Sequence, residues 1–592
     1  MSKPMPPTSY KIVSKPLPSK PAELPKPIEQ KPPLIRRTLH NGKPLVFKPS
    51  PQEVHKVKPK GLSLRTQTSS PHIIVDALAG TGKTFTIIES AFKVCGVNRN
   101  VVGSDEQNAI WDAMSECYGK IDPTQIYLTA FGSSIAAEFK SRAPVGVGSG
   151  TIHSLGKRIL AINGVEGART KYGVRANKTF FILADILNTT QDGLFAKYKA
   201  PLLFTIKQYV GFCKLNLMKF TGDYDTDRQV IKTIGDNHGS VLPEFRTEND
   251  EDFFLSSVLE IYKRSSEYRH MIDFDDMLWL PWQLSYEIRP IELMYVDERQ
   301  DLNMAQQELV CRYAKRLVLV GDTNQAIYGF AGADIAACER MEKRLSGPGR
   351  GLLKFPLTFT RRCGKAIVEY NRSIVPSFGY FPDAPDGEVR HDKEESFLDK
   401  VQPGDMVVCR TNAPLFQYCL QLLKQGRPFR TTVKKFFEQT INLIKSFEAQ
   451  SIASLEQHLS DWRDRQLESC TGPRADRSIL INDQYAAIRA GMSMCSSPND
   501  LIQLLQRVFK PEQDEHGEAK KIGMDVILLT SIHQAKGLER PVVWWAQYDL
   551  VPHPKAKLIQ QETNLKWVAG TRAINCLVLV KSTPKRKDES DE

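Results

Sequence analysis

The stretch "IIVDALAGTGKTFTIIESAF", which begins at Ile73, restricts the fold more than any other part of the chain. Its apolar run Ile73-Ile74-Val75 suits a buried strand. From Phe85 onward the spacing is helical, with Ile87, Ile88 and Phe92 on one face. Between strand and helix stand Ala79, Gly80, Thr81, Gly82, Lys83 and Thr84. Glycines let the backbone turn tightly, so that successive N–H groups point at phosphate oxygens. Lys83 can then reach the β- and γ-phosphates, and the Thr84 hydroxyl can ligate Mg²⁺. The helix N-terminus adds a positive dipole end. Ala77 stands where such loops usually carry their first glycine. A plain strand–turn–helix is the competing reading, but strand, glycines and Gly-Lys-Thr all fall in register. The expected ligand is a nucleoside triphosphate with Mg²⁺.

The chain has 592 residues, 41% hydrophobic and 25% charged, which is ordinary globular composition for several domains. No apolar run is long enough to span a membrane, and no signal-peptide pattern opens the chain. Its 11 cysteines are scattered without a CxxC pair, which argues against a zinc ribbon or a disulfide scaffold and for a reducing compartment. The net charge of +12 is uneven. Residues 1–70 hold 14 Lys/Arg against 3 Asp/Glu, so the rest of the chain is close to neutral. Those 70 residues also hold 14 of the 36 prolines. A segment such as "KPLPSKPAELPKPIEQKPP" cannot bury enough apolar surface to fold and reads as a disordered basic tail. It suits contact with nucleic acid, docking of a protein partner, or simple tethering.

Further strand-like runs follow at "QIYLTAF", "IELMYVDERQDLN" and "RLVLVGDTNQAIYGFAGA", and later at "GDMVVCRTN", "MDVILLTSIHQAKGLERPVVWWAQ" and "NCLVLV". Strands alternating with helices predict parallel sheets with ligands at the strands' carboxyl ends. The fold class is therefore α/β: two parallel-sheet lobes, each interrupted by a mainly helical insertion. The predicted division is a tail over 1–44 and a first lobe over 45–154 and 271–345, interrupted by an insertion at 155–270. The second lobe covers 346–438 and 522–582, with an insertion at 439–521, and a charged tail occupies 583–592. The strand ending at Val296 delivers Asp297 and Glu298 beside the phosphate loop. Asp297 would hold Mg²⁺ and Glu298 would orient and deprotonate the attacking water.

"DALAGTGKT", "YVDERQD", "LVGDTNQAIYGFAGA", "TSIHQAKGLE" and "WVAGTRA" occur in this order. They resemble motifs I, II, III, V and VI of the UvrD/Rep/PcrA superfamily 1 DNA helicases, over about residues 45–580. The short second insertion is closer to the F-box DNA helicase branch. The resemblance implies two RecA-like lobes of a P-loop NTPase, with ATP and Mg²⁺ between them. It implies that Gln325 touches the γ-phosphate, and that Arg362 and Arg572 act as arginine fingers from the second lobe. Glu539 would bond the ribose or support the phosphate site, and Gln52 could read the adenine edge.

Two departures stand out. The family commonly sandwiches adenine between an Arg after the phosphate-loop Thr and a Tyr before the first finger. Here Phe85 and Arg361 hold those places. Either the stack survives inverted, or Phe85 is a core residue and Arg361 a surface charge. Ala331 stands where an Arg usually follows the aromatic of motif III. For DNA, flat side chains for base stacking are expected at Phe131, Tyr328 and Phe330, with His153 and His533 near the strand path.

The resemblance thus implies an ATP-dependent helicase or translocase on single-stranded DNA and single-strand/duplex junctions, moving 3′→5′. The alternatives are a translocase that displaces proteins without unwinding, and a non-enzymatic ATP-gated DNA-binding protein. Expected localisation is with DNA, cytoplasmic in a prokaryotic or viral setting and nuclear in a eukaryotic one.

Overall fold

The computed structural model describes residues 71–238, 248–327, 337–347, 351–468, 470, 477–508, 523–556 and 558–583. Gln52, Tyr328, Phe330 and Ala331, the predicted N-terminal tail and nearly all of the predicted charged C-terminal tail lie outside the described residues.

The first sheet contains β1 (His72–Ala77), β2 (Ile126–Ala130), β3 (Gly148–Thr151), β4 (Ile291–Val296), β5 (Ala314–Gly321) and β6 (Leu352–Leu357), in the order β3-β2-β4-β5-β1-β6. All neighbours are parallel. A strand covered on both faces reads as a continuous apolar run, and Ile73, Ile74 and Val75 of β1 are fully buried accordingly. The register pairs Asp76 with Gly321 and Val296 with Leu319, so β1, β4 and β5 end at one edge.

β7 (Phe359–Thr360) and β8 (Gly379–Tyr380) form a short pair at the crossover. The second sheet contains β9 (Glu388–Lys393), β10 (Met406–Cys409), β11 (Phe429–Thr431), β12 (Ile527–Ser531), β13 (Arg540–Ala546) and β14 (Ala573–Lys581), ordered β11-β12-β10-β13-β14-β9 and again parallel. One boundary differs from the sequence reading. β6 pairs with β1, so the first sheet extends past residue 345 to Leu357. A strand's sheet is set by its partner, and the isolated run "LLKFPL" carries no mark of which sheet it joins.

Helices fill the gaps between β3 and β4 and between β11 and β12. The first insertion has its own core around Phe180, Leu203, Tyr209, Phe254 and Tyr262. It is pinned by a buried ionic cluster. Lys178 Nζ lies 2.6 Å from Asp276 Oδ2, and Lys214 Nζ lies 2.7 Å from Asp273 Oδ2 and 2.9 Å from Asp276 Oδ1. Asp273 and Asp276 also form the capping box of the helix Phe274–Gln283. The second insertion is tied to its lobe by Asp483, whose carboxylate accepts the N–H groups of Asn412 and Ala413 at 2.6–2.9 Å.

The two lobes share apolar packing. Leu78, Ala79 and Ile327 from the first lobe are buried in one cluster with Cys363, Ile367, Trp567 and Val568 from the second. Among the described residues no helix is long and apolar enough to cross a membrane.

Candidate active site

β1 runs straight into the glycine-rich turn. Gly80 and Gly82 have φ of +72° and +85°, a region that L side chains rarely adopt. Thr81 Oγ1 donates to Leu78 O at 2.9 Å and closes the turn. Gly82 caps α1 (Lys83–Val94) without any side-chain hydrogen bond, so the cap supplies no acceptor for the first-turn N–H groups. α2 (Asp105–Tyr118) braces this helix. Gln107 Nε2 donates to Thr86 Oγ1 at 2.9 Å, and Trp111 Nε1 donates to Thr86 O at 3.2 Å. The Phe85 ring sits edge-on to Trp111, 5.9 Å between centroids.

The crossover segment lies directly on this loop. A Cβ added to Gly80 would stand 2.5 Å from Thr360 Oγ1 and 2.6 Å from Arg362 Cβ. Arg361 N donates to Gly80 O at 2.9 Å. Glycine at position 80 is therefore required twice, by its backbone angle and by this close approach. The Arg361 guanidinium lies over the Phe381 ring, 4.3 Å from its centroid.

The acids arrive from β4. Asp297 is buried and Glu298 adopts a left-handed φ of +53°, a conformation held at a cost in a non-glycine residue. Lys83 Nζ lies 3.2 Å from Glu298 Oε1, and Gln300 Nε2 donates to Glu298 Oε2 at 2.5 Å. Burial pushes the Asp297 carboxyl up, and the neighbouring Glu298 charge adds to it. Burial would also raise Glu298, but Lys83 and Lys536 outweigh it and hold that carboxyl well below the usual range.

Gln325 is buried on the turn after β5, with Nε2 donating to Asp322 Oδ2 at 2.8 Å. Arg362 Nε lies 2.5 Å from Glu539 Oε2, and Arg362 Nη1 donates to Thr571 O at 3.3 Å. Arg572 is 1% exposed and is held by the carbonyls of Val568 and Leu538 at 2.9 and 3.3 Å. Burial pushes its guanidinium down to about 9 and the Arg362 charge adds to that, while Asp322 and Glu298 pull it back up. The structure thus gathers Gly80, Lys83, Asp297, Glu298, Gln325, Arg362, Glu539 and Arg572 into one cluster where the lobes meet.

Phe131 directly follows β2 and is 50% exposed. His153 stands in the first turn of the helix after β3, half-buried, with burial lowering its pKa. Because Ala130 pairs with Thr151, these two residues occupy adjacent strand ends. His533 follows β12 in the other lobe. Burial and the Arg410 charge push its imidazole down to about 3.

Several residues beside this cluster carry no role in the sequence reading. Lys536 Nζ donates to Asp301 Oδ1 and Oδ2 at 2.8 and 2.6 Å and to Gln325 O at 2.8 Å. Trp567 Nε1 donates to Asp322 Oδ2 at 2.8 Å. Arg299 is buried between Asp76 and Glu342. Each lies inside one of the quoted motifs, which was the available signal. What was missing was a partner, because each partner is remote in sequence.

The residues present fit a triphosphate and a divalent cation. The loop has left-handed glycines, an uncapped helix start and a lysine whose partner is the carboxylate next door. Asp297 is buried beside the Glu298 charge, and a dication held with Thr84 would offset the cost of ionising it there.

The fold is two parallel-sheet lobes with a glycine-rich turn leading from β1 into α1. Residues 108–346 match the family model of the UvrD/REP helicase N-terminal domain. The ATP-dependent DNA helicase PcrA of Staphylococcus epidermidis is 26% identical over 233 residues, covering 36% of this chain and 29% of that protein. PcrA of Staphylococcus aureus is 26% identical over 241 residues, covering 38% and 30%. The matched stretch thus spans less than a third of these relatives. A solved chain titled as Arterivirus nonstructural protein 10 (helicase) aligns at 13% identity with a TM-score of 0.23, over 50% of this chain and 40% of that one, a level at which nothing follows for the fold. The chain is UvrD/Rep/PcrA-like. The family match begins at Asn108, beyond the phosphate loop, so the reading of that loop rests on its own geometry.

Proposed function

We propose that the chain is an ATP-dependent DNA helicase or translocase that hydrolyses ATP in the cleft between its lobes and advances on single-stranded DNA, 3′→5′. The observation that carries the reading is the approach of the Arg362 segment to Gly80, where an added Cβ would stand 2.6 Å from Arg362 Cβ, so that the crossover from the second lobe lies on the phosphate loop. Lys83 and the α1 amides bind the β- and γ-phosphates. Thr84 and Asp297 would hold Mg²⁺, which neutralises charge on the transferring phosphoryl group. Glu298 orients and deprotonates water, but only after Lys83 has turned from its carboxylate to the phosphates. Gln325 senses the γ-phosphate. Arg362 and Arg572 stabilise charge that develops during transfer, and Glu539 holds Arg362 in place. Phe85 and Arg361 flank adenine in the inverted arrangement, with Arg361 fixed at its backbone by Gly80.

Single-stranded DNA crosses the carboxyl edges of the sheets, stacking on Phe131 and passing His153 and His533. Tyr328 and Phe330 complete the proposed set of DNA contacts, and Gln52 is proposed to read the adenine edge. The short second insertion favours a second reading, displacement of bound protein without unwinding, which a forked-duplex assay run beside a protein-displacement assay separates. The basic N-terminal tail is proposed to add nonspecific affinity for DNA or to dock a protein partner. The primary test is ATP turnover with and without single-stranded DNA. Strong stimulation supports the reading, and turnover indifferent to DNA rejects it.

A further inference from the structure

The turn that carries Gln325 is read by the other lobe through its backbone. Thr323–Gln325 is a single 3-10 turn, and the carbonyls of Thr323, Gln325, Ala326 and Ile327 accept from second-lobe donors. Lys536 takes Gln325 O at 2.8 Å, Asn564 takes Ala326 O at 2.8 Å, and Gln561 takes Ile327 O at 3.1 Å. Trp567 takes the Asp322 carboxylate, the same group that accepts from the Gln325 side chain. Gln561, Asn564 and Trp567 stand three residues apart on the helix Ile559–Gly570, so they form one stripe. That helix leads through its cap Thr571 to Arg572.

Lys536 makes a second connection. Its ammonium is bonded to both oxygens of Asp301, in the turn that follows Glu298, and both side chains are nearly inaccessible to solvent. It stands three residues beyond His533 on the loop after β12. A buried ammonium with three fixed acceptors has one favourable place. Moving the loop away from the first lobe would leave Asp301 buried without its counter-charge.

Building on the function proposed above, we infer that Lys536 is a positioning residue that couples the nucleotide site to the second lobe. It clamps the loop bearing His533 to Asp301 and to the Gln325 carbonyl, so that a shift of the γ-phosphate-sensing turn moves that loop and, through Asn564 and Trp567, the helix leading to Arg572. The clamp depends on charge at one nitrogen, so an arginine retains part of it and a methionine none.

The test places one dye on each lobe of the full chain and follows closure by energy transfer on addition of a non-hydrolysable ATP analogue. Alongside it, kcat and KM for ATP are measured with saturating single-stranded DNA. Lys536→Met is expected to lose most of the closure signal and to lower kcat about tenfold or more, with KM for ATP within about threefold of wild type. Lys536→Arg is expected to recover part of both. If Lys536→Met alone folds poorly, the double variant Lys536→Met/Asp301→Asn removes both buried charges, and it should regain the thermal midpoint without regaining closure. Closure and kcat of a folded Lys536→Met protein at wild-type values would overturn the inference. A wild type that closes on the analogue but never hydrolyses ATP would instead overturn the proposed function, and the closure signal would still decide the role of Lys536.

Discussion

Glu298 shows how much one residue's surroundings decide. Its carboxylate is clasped by Lys83 and Gln300, and its backbone sits in a left-handed conformation. Glu298→Gln keeps the shape and removes the base, so DNA-stimulated kcat should fall about 10²–10⁴-fold with little change in ATP affinity. Phosphate release by a quenched-flow assay, with analogue binding measured in parallel, checks both halves. Phe85 and Arg361 make a different case. Each already has an aromatic neighbour within the protein, Trp111 and Phe381 respectively. If they also flank adenine, Phe85→Ala and Arg361→Ala should each weaken ATP binding several-fold in a fluorescence titration. Unchanged affinity in both would return them to packing and surface roles. At this scale the sequence was most legible where local order made the signal. Gly80, Lys83, Asp297 and Glu298 sit where a strand-turn pattern leads one to look. Lys536 and Trp567 were not legible in the same way, because their partners Asp301 and Asp322 lie more than 200 residues earlier in the chain.

Among the elements, the first insertion depends on charges it has buried. Lys178 and Asp276 are both inaccessible and pair at 2.6 Å. Lys178→Ala would leave a buried carboxylate with less compensation, and removing one partner of such a pair costs about 3–5 kcal/mol. Differential scanning calorimetry should show a clear fall in the insertion's transition, with a smaller fall for Lys178→Arg. A pH effect belongs here as well. His238 at the end of the helix Tyr224–Asn237 stacks on Phe212 and accepts from Asn216, and burial lowers its pKa from 6.5 to about 4. The unfolded chain takes up this proton more readily than the folded one. The contribution is therefore complete above pH 6.5 and is lost as pH falls toward about 4. Urea midpoints measured across that window should fall less steeply in His238→Gln than in wild type. An equal slope would contradict the assignment. The insertions themselves could be read from polar helical stretches between strand runs. The strand Leu352–Leu357 could not be assigned, because only its pairing with β1 puts it in the first sheet.

For the whole molecule, the notable feature is that the lobes touch through the turns that carry the candidate site. The phosphate loop's Leu78 and Ala79 pack among second-lobe residues, and the crossover at Thr360–Arg362 closes on Gly80. In the proposed function this contact ties hydrolysis to relative movement of the lobes, which a single-lobe phosphate site could not do. The direct measurement is steady-state phosphate release at saturating single-stranded DNA, wild type against Arg362→Ala, with ATP affinity measured on both proteins. An arginine finger predicts a loss of about a thousandfold or more in turnover while ATP still binds. Turnover in Arg362→Ala within a few-fold of wild type would contradict it.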